Sequence, residues 1–159
     1  KLAKAFDMHV IGLKRDTSEH VLHVDELYPS SALIELLPRA DVVALTCPLT
    51  PETRNVMDAA ALAAMKPSSY LVNVARGGCV DEAALIDAMQ RQAIAGAGID
   101  VTATEPLASD SPLWGLENVL LTPHTGGETR KYEDNVIDML LENLDRLSKG
   151  QDALYNQIV

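Results

Sequence analysis

Three ionisable residues of different kinds follow three apolar runs in this chain. They sit in the segments Asn73-Val-Ala-Arg76-Gly77-Gly78, Gly98-Ile-Asp100-Val-Thr-Ala-Thr-Glu105-Pro106 and Thr122-Pro-His124-Thr-Gly126-Gly127. Each preceding run reads as a buried strand, so Arg76, Glu105 and His124 fall in loops just past strand carboxyl ends. Open α/β sheets bind their ligands at that edge. A guanidinium there can grip a carboxylate through two parallel hydrogen bonds. An imidazole is a good general acid or base near neutral pH. A carboxylate beside it can orient the ring and favour the imidazolium. Singly, each has a plainer reading: Arg76 in a surface salt bridge, His124 as a hydrogen-bonded loop residue, Glu105 capping a helix or solvated beside Pro106. Together they point to an active site that holds an anionic substrate and moves a proton next to it.

Other residues bear on the same edge. Gly77 and Gly78 let the backbone turn sharply and let a ligand come close. Asp100 lies inside a strand, between Ile99 and Val101, and a buried carboxylate needs partners, either backbone donors or a ligand amide. Cys47 and Cys79, the two cysteines, form no metal-ligand or disulfide pattern. Cys79 reads as a small packing residue, whereas Cys47 stands at a strand end where it can touch a ligand. His9, His20 and His23 lack the setting of His124 and read as structural or solvated.

The elements that must position these groups follow from periodicity and caps. Strands are expected at residues 9–13, 41–46, 70–74, 97–101 and 119–122, and residues 24–28 read as a loop. Ser30 or Ser31 caps a helix over 32–37 that Pro38 helps to end, and Thr50-Pro51 opens a helix to about residue 57. Asp58 caps a helix over 59–65, and Asp81 one over 82–92. A last long helix spans about 128–149, with Gly150 as its stop. Leu2, Ala3, Ala5 and Phe6 read as the tail of a helix whose beginning is absent. Val136, Ile137, Leu140, Leu141, Leu144 and Leu147 form a helical stripe that reads as core or subunit packing. Trp114 either caps its own core or offers an exposed contact. Alternating strands and helices argue for an α/β fold, a parallel sheet with helices on both faces.

Composition sets the outer limits. The 159 residues suggest one domain, and at 47% hydrophobic but 4% aromatic the core must be built from Ala, Leu, Val and Ile. The net charge of −10 disfavours nucleic acid and anionic membranes as general partners. No apolar run approaches the length of a membrane span. The opening residues lack the regions of a secretory signal, so a cytoplasmic location is expected.

At these motifs the chain resembles the D-isomer-specific 2-hydroxyacid dehydrogenases, in particular those of the glyoxylate/hydroxypyruvate reductase kind, along nearly its whole length. The supporting segments are Cys47-Pro-Leu-Thr-Pro-Glu-Thr-Arg54, Asn73 to Gly78, Val80-Asp-Glu-Ala-Ala-Leu85, Gly98 to Val101, Glu105-Pro106, Pro112-Leu-Trp114 and Thr122-Pro-His124. The separations of 29 residues from Arg76 to Glu105 and 19 from Glu105 to His124 are also similar to the family's.

The resemblance implies a Rossmann-like, doubly wound parallel sheet and a hydride transfer between NAD(P)H and a small 2-keto acid or D-2-hydroxy acid. Arg76 would bind the substrate carboxylate and polarise the keto group, His124 would act as general acid/base, and Glu105 would hold His124 in its working tautomer. Asp100 would meet the nicotinamide carboxamide, while Cys47, Pro48, Thr53, Val74, Ala75, Arg76, His124 and Gly126 would line or border the cofactor cleft. No G-x-G-x-x-G occurs in the chain; the first strand and glycine-rich loop are expected to lie before its start, as is the substrate domain. Residues 1–146 are then an N-terminally truncated nucleotide-binding domain, and 147–159 a segment that packs on the substrate domain. Where an NAD site usually carries an acid after its second strand, this chain has Lys14 and Arg15, which suit a 2′-phosphate and favour NADP over NAD. The alternative is that both are solvated and Asp16 contacts the ribose. The family also implies a homodimer. Two competing functions stay open: a dinucleotide-sensing, corepressor-like binding protein, and a catalytically inert fragment.

Overall fold

The computed structural model describes residues 1–157. The chain divides into two compact units, the first comprising Lys1–His124 and the second beginning at Thr125.

The first unit opens with a short helix, α1 (Leu2–Ala5), and a strand, β1 (Ile11–Lys14). Residues 24–28 are not a loop: Glu26–Pro29 form β2, parallel to β1, with Ile11 opposite Glu26 and Lys14 opposite Pro29. Polar side chains hold this pair. The Val10 N–H donates to the Asp25 carboxylate at 2.7 Å, and the carboxylate of Glu26 accepts from Arg39 and from the Tyr28 hydroxyl. Pro29, which has no N–H to give, ends the strand. The helix expected over 32–37 is broken into a 3-10 turn (Ser30–Ala32), one α-turn, α2 (Leu33–Leu36), and a second 3-10 turn (Leu37–Arg39). Neither serine side chain caps it, because Pro29 occupies the N-cap position and the tight 3-10 turn satisfies the entry.

Then come β3 (Val42–Leu45), α3 (Ala59–Ala64), β4 (Tyr70–Asn73), a 3-10 turn (Gly77–Cys79), α4 (Glu82–Gln90), β5 (Gly96–Ile99), a 3-10 turn (Pro112–Gly115) and β6 (Val119–Leu121). The two aspartate caps form as expected: Asp58 accepts from the Ala61 N–H at 2.9 Å and Asp81 from the Ala84 N–H at 3.1 Å. The expected helix over 51–57 does not form. Thr50 to Arg54 make one turn, Asn55 takes a left-handed φ of 50°, and the chain then runs extended, so that Met57 bridges Val80 in parallel. Thr53, Asn55 and Val56 are weak helix formers, and pairing with the 78–81 backbone outweighs one more helical turn.

Strands β3, β4, β5 and β6 pair in that order, all parallel, with Val42 opposite Tyr70, Tyr70 opposite Gly96 and Ala97 opposite Val119. A parallel register puts every strand's carboxyl end on one side, so the loops after β3 to β6 emerge at a common edge. Leu71, Met57 and Ile94 are fully buried, with Leu62, Leu85 and Met89 nearly so. Truncating one such leucine to alanine costs about 2–5 kcal/mol. Trp114 is exposed, its indole N–H donating to the Ala108 carbonyl at 2.8 Å.

The second unit is dominated by α5 (Tyr132–Ser148), which begins a turn later than its sequence pattern predicts. Gly150, at φ 69°, closes it with an N–H to the Leu147 carbonyl. The following residues fold back: the Arg146 guanidinium lies 4.1 Å from the Tyr155 ring centre, and Asn143 exchanges two hydrogen bonds with the Tyr155 backbone. The apolar stripe is not core. Val136, Ile137, Leu140, Leu141, Leu144 and Leu147 are all half or more exposed. No helix among the described residues is long and apolar enough to cross a membrane.

Candidate active site

The loop after β4 is shaped from inside by Asn73. This buried side chain accepts the Ala75 N–H through Oδ1 at 3.1 Å and donates through Nδ2 to the Arg76 carbonyl at 3.1 Å. Its amide thus supplies both bonds of the turn that presents Arg76. The Arg76 backbone is extended, and one guanidinium nitrogen, Nη1, donates to the Ala75 carbonyl at 2.6 Å. The side chain is otherwise exposed and its remaining donors suit an anion.

Gly77 then presses against the loop after β5. A Cβ at this position would lie 1.9 Å from the Thr102 carbonyl oxygen and 2.6 Å from the Ala103 nitrogen. Both are backbone atoms that cannot swing away, so only glycine lets the two loops meet. In the second loop Glu105 uses both carboxylate oxygens. Oε1 accepts the Thr102 N–H at 3.1 Å, and Oε2 is 2.8 Å from Nδ1 of His124. The Thr102 hydroxyl closes the loop on the Thr104 carbonyl, and the Ala103 N–H donates to Oε2 of Glu82, in the first turn of α4.

His124 has a φ of 57°. A left-handed backbone is uncommon outside glycine, costs energy, and collects at functional sites. With Nδ1–H donated to a carboxylate, the ring's lone pair lies on Nε2, which is the nitrogen able to exchange a proton with a ligand. The carboxyl of Glu105 is held below its ordinary value, chiefly by the hydrogen bond with His124; the Thr102 N–H and the nearby charges of His124 and Arg76 add to this, and partial burial opposes it. Arg76 and His124 therefore both act electrostatically on Glu105 at a single sheet edge. The arrangement can bind an anion and pass a proton at Nε2 while Glu105 stays ionised.

Beside the triad lies an open cleft of about 590 Å³ between the ends of β3 and β4, lined by Thr46, Cys47, Pro48, Leu49, Val74, Ala75 and Arg76. It brings together Cys47, Pro48, Val74, Ala75 and Arg76 of the residues picked from sequence. Thr53 stands behind the wall, its hydroxyl donating to the Pro48 carbonyl at 2.7 Å. Asp100 is buried at the end of β5, where it accepts a hydrogen bond from the Thr122 hydroxyl. Lys14 ends β1 and Arg15 follows it, both exposed and outside the cleft lining. Gly126 is exposed and belongs to the second unit.

Several residues that build the site escape a reading by residue type. Asn73, Glu82 and Thr122 sit inside motifs; Asn73 shapes its own turn, whereas Glu82 and Thr122 bond to elements more than 20 residues away in sequence. Leu49 and Thr46 line the cleft as neighbours of Cys47 and Pro48. Asn73, Glu82, Thr122 and Leu49 belong to the motif segments, whereas Thr46 is only the last residue of the strand expected over 41–46.

Parallel strands whose carboxyl-end loops carry the site residues around an open cleft define a Rossmann-like α/β fold. The family can be named as well. The profile described as the NAD binding domain of D-isomer specific 2-hydroxyacid dehydrogenases matches residues 1–126, and the chain belongs to that family. It is similar to the hydroxypyruvate reductase of Blautia hydrogenotrophica, 35% identical over 150 residues, covering 94% of this chain and 46% of that protein. A D-isomer specific 2-hydroxyacid dehydrogenase family protein from Aeromonas salmonicida superposes with a TM-score of 0.89 at 34% identity, covering 99% of this chain and 50% of the other. The D-isomer specific 2-hydroxyacid dehydrogenase from Xanthobacter autotrophicus Py2, solved in complex with NADPH and MES, superposes with a TM-score of 0.83 at 37% identity, over 96% of this chain and 61% of the other. The chain spans about half the length of the curated relatives it matches.

Proposed function

We propose that the whole protein to which this chain belongs is an NAD(P)-dependent oxidoreductase that interconverts a small 2-keto acid and its D-2-hydroxy acid. The observation that carries this reading is the Glu105–His124 pair at 2.8 Å, electrostatically coupled to Arg76. In it, the Arg76 guanidinium grips the substrate carboxylate and draws electron density from the keto oxygen. His124, protonated at Nε2, donates to that oxygen in reduction and takes the proton back in oxidation. Glu105 stabilises the imidazolium and fixes the tautomer in which Nε2 faces the chemistry. The anionic Glu105 also keeps Arg76 and the imidazolium from repelling each other.

The residues present suit a nicotinamide dinucleotide. Cys47, Pro48, Val74 and Ala75 would hold it in the open cleft, with Thr53 bracing the wall. The buried Asp100 carboxylate would receive its carboxamide, and Gly126 belongs to the same assignment. Lys14 and Arg15, exposed at the end of β1, suit the 2′-phosphate of NADP; the relative from Xanthobacter was solved with NADPH. When bound, the nicotinamide supplies or receives the hydride, which no side chain can do. A cytoplasmic homodimer belongs to the same proposal, its self-association supported by the exposed apolar stripe on α5.

The test is turnover by the full-length protein. Loss of reduced-nicotinamide absorbance is followed with NADPH and NADH against glyoxylate, hydroxypyruvate and pyruvate. Turnover with at least one acid and a preference for NADPH supports both parts. Dinucleotide binding without turnover on any 2-keto acid replaces the enzyme by a dinucleotide-sensing protein.

A further inference from the structure

Glu82 takes no part in the proton transfer, yet it is tied to the loop that carries Glu105. Two successive amides of that loop are held by two carboxylates. The Thr102 N–H goes to Glu105 itself at 3.1 Å, and the Ala103 N–H goes to Oε2 of Glu82 at 2.9 Å. The first bond is internal to the loop and cannot fix where the loop stands. The second reaches across to α4, which the core holds firmly. Leu85, Ala88 and Met89 of that helix are buried, Asp81 caps it, and the Asp81 N–H donates to the Met57 carbonyl at 3.0 Å. On the other side Gly77 presses on the Thr102–Ala103 peptide, the unit that carries the Ala103 N–H. Glycine contact limits how near the loop can come, and the Glu82 bond limits how far it can move away.

We infer that Glu82 is a positioning residue: by holding the Ala103 amide it sets the place of the Glu105 carboxylate, and through it the ring of His124. The plainer role is a negative charge in the first turn of α4, favourable to the helix dipole. The two roles separate by chemistry. Glutamine keeps an oxygen acceptor at the same reach but loses the charge. Aspartate keeps the charge, and with it the helix, but draws the acceptor back by one methylene. Alanine removes both.

The first readout is made on the full-length protein, by following the side-chain carbon of Glu105 and the ring nitrogens of His124 by NMR as pH is lowered. Glu82→Asp and Glu82→Ala are expected to raise the Glu105 midpoint toward the ordinary glutamate value and to weaken the Nδ1 hydrogen-bond signature. Glu82→Gln is expected to leave both as in the parent. In the full-length protein, kcat falls roughly 10- to 100-fold in the Asp and Ala variants, the scale of a small misplacement of a reacting group. KM for the dinucleotide is unchanged, and Gln restores kcat. Unmoved Glu105 and His124 signals in the Asp variant overturn the inference, as does a Gln variant that behaves like Ala. The kinetic arm rests on the proposed dehydrogenase reading, whereas the NMR arm does not. A coupled shift of both signals in a protein without turnover keeps the positioning role and removes the enzyme.

Discussion

The loops after β4 and β5 and the end of β1 are both placed at strand carboxyl ends, yet they are built differently. At the first, every reactive group is braced: Asn73 makes the turn behind Arg76, Gly77 abuts the Thr102 backbone, and Glu105 is bonded at both oxygens. At the second, Lys14 and Arg15 extend from the strand end as exposed side chains, and the local order includes an Asx-type bond from the Ser18 N–H to Asp16 at 2.9 Å. Under the proposed function the difference follows from what each would have to do. Proton transfer to a carbonyl oxygen requires reacting atoms within a fraction of an ångström of their place. Neutralising a phosphate requires only positive charge nearby, which two long, solvated side chains would supply without fixed geometry.

If the braced edge is the machinery and the loose corner only selects the cofactor, substitutions should rank accordingly. His124→Ala in the full-length protein should lower kcat by about two to four orders of magnitude; a variant with parental turnover takes the ring out of the mechanism. Arg76→Ala should raise KM for the keto acid far more than KM for the dinucleotide, and equal changes would deny it the carboxylate.

Gly77→Ala comes next. The added methyl meets the Thr102 carbonyl at 1.9 Å, so the two loops must part. The expected cost is about 1–3 kcal/mol in stability, read from the urea midpoint, with a fall in turnover of up to about 100-fold. An alanine variant as stable and active as the parent means that the loops do not need to touch.

At the loose corner, replacing both Lys14 and Arg15 with glutamine should weaken NADPH about tenfold relative to NADH, since exposed ion pairs contribute about 1 kcal/mol or less each. The difference should shrink with added salt. Equal losses for the two nucleotides would return the ribose contact to Asp16.

The smallest effect lies behind that corner, in the β1–β2 pair. The carboxyl of Glu26 is lowered from its ordinary 4.5 to about 2, first by the Tyr28 hydroxyl and then by Arg39 and His9. A depressed carboxyl pKa favours the folded state at pH values above its unfolded value. That contribution is complete above about 4.5 and disappears as the pH falls toward about 2. The urea midpoint of the parent should therefore drop more steeply than that of Glu26→Gln between these values. Parallel pH curves would show that the exposed cluster adds nothing.

What could be read from the sequence divides along the same line. Strands β3 to β6, the helices α3 and α4 and their aspartate caps are written in local patterns, because a cap bonds within three residues and a buried strand is a short apolar run. Strand β2 was missed because Asp25, Glu26 and Pro29 make a poor strand by composition; its order comes from β1 and from Arg39, distant in sequence. The helix expected after Pro51 lost to the bridge between Met57 and Val80, which no local pattern records. The stripe on α5 has the helical spacing of a core face, yet its residues are half or more exposed, because periodicity marks an apolar face without saying what covers it.

By itself, then, the sequence determined the parallel α/β order, the family resemblance and the three residues at strand ends. The order follows from periodicity, the three residues from their types at loop positions, and the resemblance from the motif segments that carry them. Tertiary structure alone decided that Glu105 grips His124 at Nδ1, that Gly77 admits the Thr102 peptide, and that Glu82 reaches Ala103 from another element. Each of these is a contact across about 19 to 26 residues of sequence. Hydrogen-bond partners of that kind are chosen by where the packed sheet puts the backbone, and no local propensity encodes them.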